Sequence, residues 1–111
     1  MNFKRLNNMT GMDPVLNRRI ATIFVSEFDT FRRCISDLIN NESVDDFQFN
    51  LHKIRPSLII FELDKLVKQY ENLSRRKKDG NLISEQDEEL MAAIAETDLQ
   101  ILRVKEFLNS L

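Results

Sequence analysis

His52 is the only histidine in the chain, and its side chain is the one whose type suits group-transfer chemistry. A neutral imidazole nitrogen is a good nucleophile near pH 7, and its phosphoryl adduct is labile. Arg55 follows three residues later. On a helix that is one turn along, where a guanidinium reaches the imidazole edge or a group attached to it. Elsewhere the residue types close routes off. Cys34 is the single cysteine, which excludes an internal disulfide and a thiolate zinc site. One histidine cannot build a His-rich metal centre. Gly11 and Gly80 are the only glycines, too far apart for a dinucleotide fingerprint or a phosphate-binding loop. The expectation is therefore no metal and no cofactor. Glu85, Asp87, Glu88 and Glu89 could suggest acid–base catalysis, but they read as a solvated first helical turn favoured by the dipole.

The elements that must position His52 are helical. Only two Gly and two Pro in 111 residues leave too few turns for a β-sandwich or barrel. Phe3, Leu6 and Met9 are spaced by three and predict a short N-terminal helix closed by Gly11. Asp13-Pro14 is a helix start, Asp as N-cap and Pro at the first helical position. Leu16, Ile20, Phe24, Phe28, Phe31, Ile35 and Leu38 then mark one face of a helix running to Asn40-Asn41. Ser43, with Asp46 three residues on, opens the next helix. Val44, Phe47, Leu51, Ile54, Leu58 and Phe61 form its apolar stripe, unbroken across Pro56, so a helix continuing through the proline is expected. Leu63, Leu66, Tyr70 and Leu73 lie on a stripe rotated by roughly 125°, so a new helix starts near Glu62. Ser74 to Asn81 reads as a loop. Ser84, with Asp87 three residues on, caps a last helix whose apolar face runs from Leu90 to Leu111.

Two long and two shorter amphipathic helices with short connections predict one domain over 1–111, an all-α antiparallel four-helix bundle with a short extra N-terminal helix. Pairing with another chain as a coiled coil is the competing use of such stripes. The e and g positions show no clean charge code, and the short linkers favour a monomer. Net charge is −2, which argues against nucleic acid despite the Arg75–Lys78 run. The longest apolar run, Leu58 to Phe61, is far too short to span a membrane, and the first residues contain no apolar stretch for a signal peptide. A cytoplasmic protein without membrane attachment is expected.

On a wheel centred on the third helix's apolar stripe, His52 lies roughly 130° from the core side, Ile59 roughly 110°, Ile60 roughly 150° and Phe49 roughly 170°. A lone surface histidine usually does nothing. A mid-helix histidine ringed by Phe49, Ile59 and Ile60, with Arg55 beside it, looks like a docking surface around a reactive centre.

The segment Leu51-His52-Lys53-Ile54-Arg55-Pro56-Ser57, followed by Leu63 and Leu66, resembles the signature of histidine-containing phosphotransfer (HPt) domains. That family shows His, a Lys three residues later, then Gly, then a small residue. The short N-terminal helix, Gly11-Met12-Asp13 and the long helix with Phe24-Val25-Ser26-Glu27-Phe28 are also similar to the family's opening, so the resemblance covers nearly the whole chain. It implies a phosphorelay intermediate, not an enzyme. His52 would be the phosphorylation site, and Arg55 would take the family Lys position and neutralise phosphate charge. Ser57 would match the small residue. Phe49, Lys53, Pro56, Ile59 and Ile60 would contact the receiver domains of a hybrid histidine kinase and a response regulator. Pro56 stands where the family prefers Gly, Ile59 where a small residue is common, and Glu62 where Gly is frequent at the helix boundary. A helical adaptor that binds through the Phe49 face without chemistry is the alternative.

Overall fold

The computed structural model describes residues 3–39 and 44–111. Five α-helices follow in chain order: α1 (Lys4–Thr10), α2 (Pro14–Cys34), α3 (Val44–Ile60), α4 (Asp64–Lys78) and α5 (Glu88–Ser110). No strand occurs among the described residues. Among the described residues no helix is long and apolar enough to cross a membrane.

Several local signals act as expected. The Asp13 carboxylate accepts from the N–H groups of Val15 and Leu16, with Pro14 at the first helical position. Gly11 closes α1 in the left-handed region, at φ 65°. Helix α3 continues through Pro56. Proline has no N–H to give to the His52 carbonyl, so that turn lacks one rung of its ladder.

Other boundaries differ. The α-helix expected to reach Asn40-Asn41 ends at Cys34 and tightens into a 3₁₀ turn over Ile35–Leu38. The Ile35 N–H is shared between the carbonyls of Arg32 and Arg33. Residues three apart eclipse in a 3₁₀ turn, so Ile35 and Leu38 both still face the core. The Asn40-Asn41 end and the Ser43 cap lie outside the described residues. The expected loop from Ser74 is shorter, because α4 runs on to Lys78. Its basic last turn suits the negative end of the helix dipole, and Gly80 at φ 88° then reverses the chain. Asp87 rather than Ser84 caps α5, accepting from the Leu90 N–H at 3.0 Å. Asp87 is also ion-paired to Arg76 at 2.6 Å, which fixes its carboxylate at the helix start, and Ser84 is left in the preceding turn.

Helix α3 ends without glycine. The Leu63 N–H bonds the Leu58 carbonyl at 2.9 Å, and the Glu62 N–H bonds the Ile59 carbonyl at 3.0 Å. Glu62 holds the left-handed conformation this turn requires, at φ 61°. Its carboxylate accepts from the Lys4 N–H at 3.1 Å, at the first turn of α1.

The larger helices pack in a ring: α2 against α3 and α5, and α4 against α3 and α5. The whole measures 45 × 21 × 19 Å. Aromatic rings fill two regions of the core. Near α1, Phe3 stacks on Phe107 at 4.0 Å and meets Phe61 edge-on, while Phe61 stacks on Phe24 at 4.3 Å. Farther along, Phe31 packs on Phe47 at 5.4 Å and edge-on to Tyr70 at 4.9 Å. Such ring pairs each contribute about 0.5–1.5 kcal/mol beyond their buried area.

Candidate functional site

The outer surface of α3 is written in two adjacent rows. Gln48, His52, Arg55 and Ile59 form one, and Phe49, Lys53, Pro56 and Ile60 the other, each at steps of four and three. His52, Lys53, Arg55 and Pro56 are exposed. Phe49 is 70% exposed, whereas the other seven phenylalanines are buried or half-buried. Phe49 is thus the one phenylalanine that contributes little to the core, and it stands three residues before His52.

The two isoleucines depart from expectation. Ile59 and Ile60 are half-buried rather than exposed, and Ile60 packs against the core. The helix wheel of α3 alone has no knowledge of α1, which docks on this end of the helix. Arg5 Nη1 donates to the Ile59 carbonyl and to Asp64, both at 2.9 Å. Arg5 also holds the Asp64 carboxyl below its usual range, chiefly through that hydrogen bond.

His52 and Arg55 come together in a shallow groove between α3 and α4. Gln48, Leu51, His52 and Arg55 line one wall, and Glu71, Ser74, Arg75 and Lys78 the other. Arg55 Nε pairs with Glu71 Oε1 at 3.2 Å, with both side chains about half exposed (49% and 46%). Lys53 does not join this groove. It lines a smaller pocket between α2 and α3 with Glu27, Thr30, Cys34 and Asn50. There the Cys34 thiol is pushed up by burial first, and then by Asp37 and Asp46.

The α4 wall was missed in the sequence because Arg75–Lys78 reads as loop. Its signal is present: Lys68, Glu71, Arg75 and Lys78 step three, four and three along one face, the helical period continued past Leu73. No group of three or more His, Cys, Asp or Glu residues able to hold a metal occurs among the described residues.

No family model matches the chain, and no curated protein or solved structure matches it.

Proposed function

We propose that this chain is a phosphocarrier of the HPt type, built as an antiparallel four-helix bundle, which passes a phosphoryl group through His52 between receiver domains in the cytoplasm. The closed ring of helix contacts supports the bundle. So do pairs that run in opposite senses: Arg55 with Glu71 beyond the tight turn that bonds Leu63 to Leu58, Tyr70 with Thr97 and Arg76 with Glu89 between α4 and α5, and Asp29 with Lys105 and Arg32 with Asp98 between α2 and α5. The observation that carries the functional reading is an exposed imidazole in mid-helix with a guanidinium one turn away and an exposed phenyl ring one turn before it.

The chemistry asks little of the carrier. A ring nitrogen of His52 attacks the phosphorus of the receiver's aspartyl phosphate. The N–P bond forms as the P–O bond to the aspartate breaks, and the electron pair returns to the carboxylate. The proton on the other ring nitrogen leaves to water. Such a transfer depends on alignment and on neutralising charge over the phosphoryl oxygens. Arg55 supplies a planar, permanently charged fork for that purpose. The receiver brings the acidic pocket and its metal.

A second reading, an adaptor that binds receivers without transfer, is favoured by one observation. Pro56 stands exposed beside His52 and adds bulk where close approach is needed. The two separate on one experiment. A receiver carrying labelled phosphate is mixed with wild type and with His52→Gln. A carrier takes label as wild type and none as the variant, while both keep the same fold and bind the receiver. Binding without label on wild type leaves the adaptor.

A further inference from the structure

Across the groove from His52, α4 carries a polar atom with nothing to bond. Ser74 is 3% exposed, and its Oγ has no hydrogen-bond partner. Helical hydroxyls ordinarily bond back to the carbonyl four residues before. Thr10, Thr22, Thr30 and Thr97 all do so here, to Leu6, Arg18, Ser26 and Ala93. Ser74 does not, although it lies on the groove wall. A buried hydroxyl without a partner costs about 1–3 kcal/mol, so the position is one that a ligand oxygen would relieve.

The register says which ligand. Arg55 is opposite Glu71. Three residues back along α3 and three forward along α4, His52 is opposite Ser74. The charged groups lining the groove there are Arg55 from α3 and Glu71, Arg75 and Lys78 from α4. Three are cations and one is an acid. Arg75 spends one nitrogen on Asn72 at 3.2 Å, and Arg55 is engaged by Glu71. A dianion attached to His52 would find a hydroxyl donor opposite, two cations on α4, and a guanidinium held away by a carboxylate.

Resting on the phosphocarrier reading, we propose that α4 forms the receiving half of a phosphoryl seat, in which Ser74, Arg75 and Lys78 take the oxygens of phosphorylated His52 while Glu71 gives up Arg55 to them. Glu71 then acts against the loaded state in two ways. It competes for Arg55, and its charge repels the dianion. It sets how readily the phosphoryl group leaves, a regulatory role played on the site from the neighbouring helix. These are positioning residues, since the nucleophile is His52 alone.

The test loads His52 with phosphoramidate. Its P–N bond breaks as the His52 nitrogen bonds phosphorus, and ammonia leaves. No receiver is needed, so the result does not depend on the carrier reading. The readout is the pH midpoint of the phosphoryl group's second protonation, followed by phosphorus NMR. Cations and a hydroxyl donor favour the dianion, so the wild-type midpoint lies below that of free phosphohistidine by about half a pH unit. Ser74→Ala and Arg75→Gln each move it back up. Glu71→Gln moves it down further, and Arg103→Gln on α5 leaves it in place. A wild-type midpoint equal to that of free phosphohistidine, or one unmoved by all three α4 variants while their melting curves match wild type, overturns the proposal. Failure to accept phosphate from a receiver, with the α4 dependence intact, instead overturns the carrier reading alone.

Discussion

Helix α4 has two seams, and they use the same residue types differently. On the α3 side, Arg55 and Glu71 meet in a half-exposed pair at the mouth of the groove. On the α5 side, Arg76 holds Asp87 at 2.6 Å and Glu89 at 3.2 Å in a less exposed cluster, and Glu89 also accepts from Asn72. Below it, the Tyr70 hydroxyl meets the Thr97 hydroxyl inside the core, and burial pushes the Tyr70 phenol well above its ordinary value. Around Arg76 the α5 seam closes its charged groups on each other and caps a helix, and its one loose end lies farther along, where Gln100 Oε1 is buried without a partner. The α3 seam leaves an imidazole exposed, a serine hydroxyl unbonded and a guanidinium shared. A satisfied network fixes structure, whereas an unsatisfied one can exchange partners.

The largest expected difference between the two regions is between two phenylalanines. Phe31→Ala empties a fully packed site between Phe47 and Tyr70 and is expected to cost about 3–5 kcal/mol in a denaturant melt. Phe49→Ala is expected to leave the melt nearly unchanged and to weaken receiver binding by about 1–3 kcal/mol in a titration. A large loss of stability from Phe49→Ala would show that the exposed ring is structural and would erase the contrast.

The two arginines come next. Arg55→Ala is expected to slow label transfer about ten-fold, or about 1.4 kcal/mol in the barrier, with little change in melting. Arg55→Lys restores part of the rate. Arg76→Ala is expected to leave transfer alone and lower stability by about 1 kcal/mol. It also changes the acid limb. The Arg76 guanidinium first, and the Leu90 N–H second, pull the Asp87 carboxyl down from 3.8 to about 2. A depressed carboxyl stabilises the fold above its unfolded value, and that contribution disappears as pH falls from about 4 toward 2. Melting temperatures across that range should fall less steeply in Arg76→Ala than in wild type. Equal slopes would remove Arg76 as the cause.

The smallest effect separates the two corners of α4. Gly80, at φ 88°, has open space where a Cβ would stand, so Gly80→Ala carries only the backbone cost, about 1 kcal/mol. Glu62→Gly relieves a similar cost at the α3–α4 corner but removes the carboxylate that accepts from Lys4. The two terms oppose, and the net change in a denaturant melt is expected to stay within about 0.5 kcal/mol. A gain of a full kilocalorie would mean that the contact to α1 contributes nothing.

Much of the framework was legible before any coordinates. The Asp13-Pro14 start, the unbroken stripe across Pro56 and the phase change after Phe61 are local patterns, and they place His52 and Arg55 on the outer side of a helix. What was not legible depends on partners distant in sequence. Asp87 outcompetes Ser84 as a cap because Arg76 holds it. Ile59 receives Arg5 of α1 on its carbonyl and Ile60 packs against the core, neither of which a wheel of α3 alone contains. Ser74, assigned to a loop, is a buried helical residue, so the α4 wall of the groove was hidden with it. Lys53 shares the outer surface with His52, yet it borders the pocket toward α2.

The way α1 is fastened has a kinetic side. Seven residues are too few to persist as a helix alone. Close in sequence, α1 is tied to α2, where the Asn17 amide donates to the Asn7 side-chain oxygen and accepts from the Thr10 hydroxyl. Its other attachments, to Glu62, Ile59 and Asp64, lie more than fifty positions away and exist only once the corner between α3 and α4 has turned. These distant contacts are expected to be absent from the folding barrier. Arg5→Ala should leave the folding limb of a chevron unchanged while raising the unfolding rate by the full loss of stability. Equal slowing of folding would mean that α1 joins the nucleus. On that expectation the distant contacts act as a late clasp on the end of the histidine helix, governing how long the assembled protein stays closed rather than how fast it assembles.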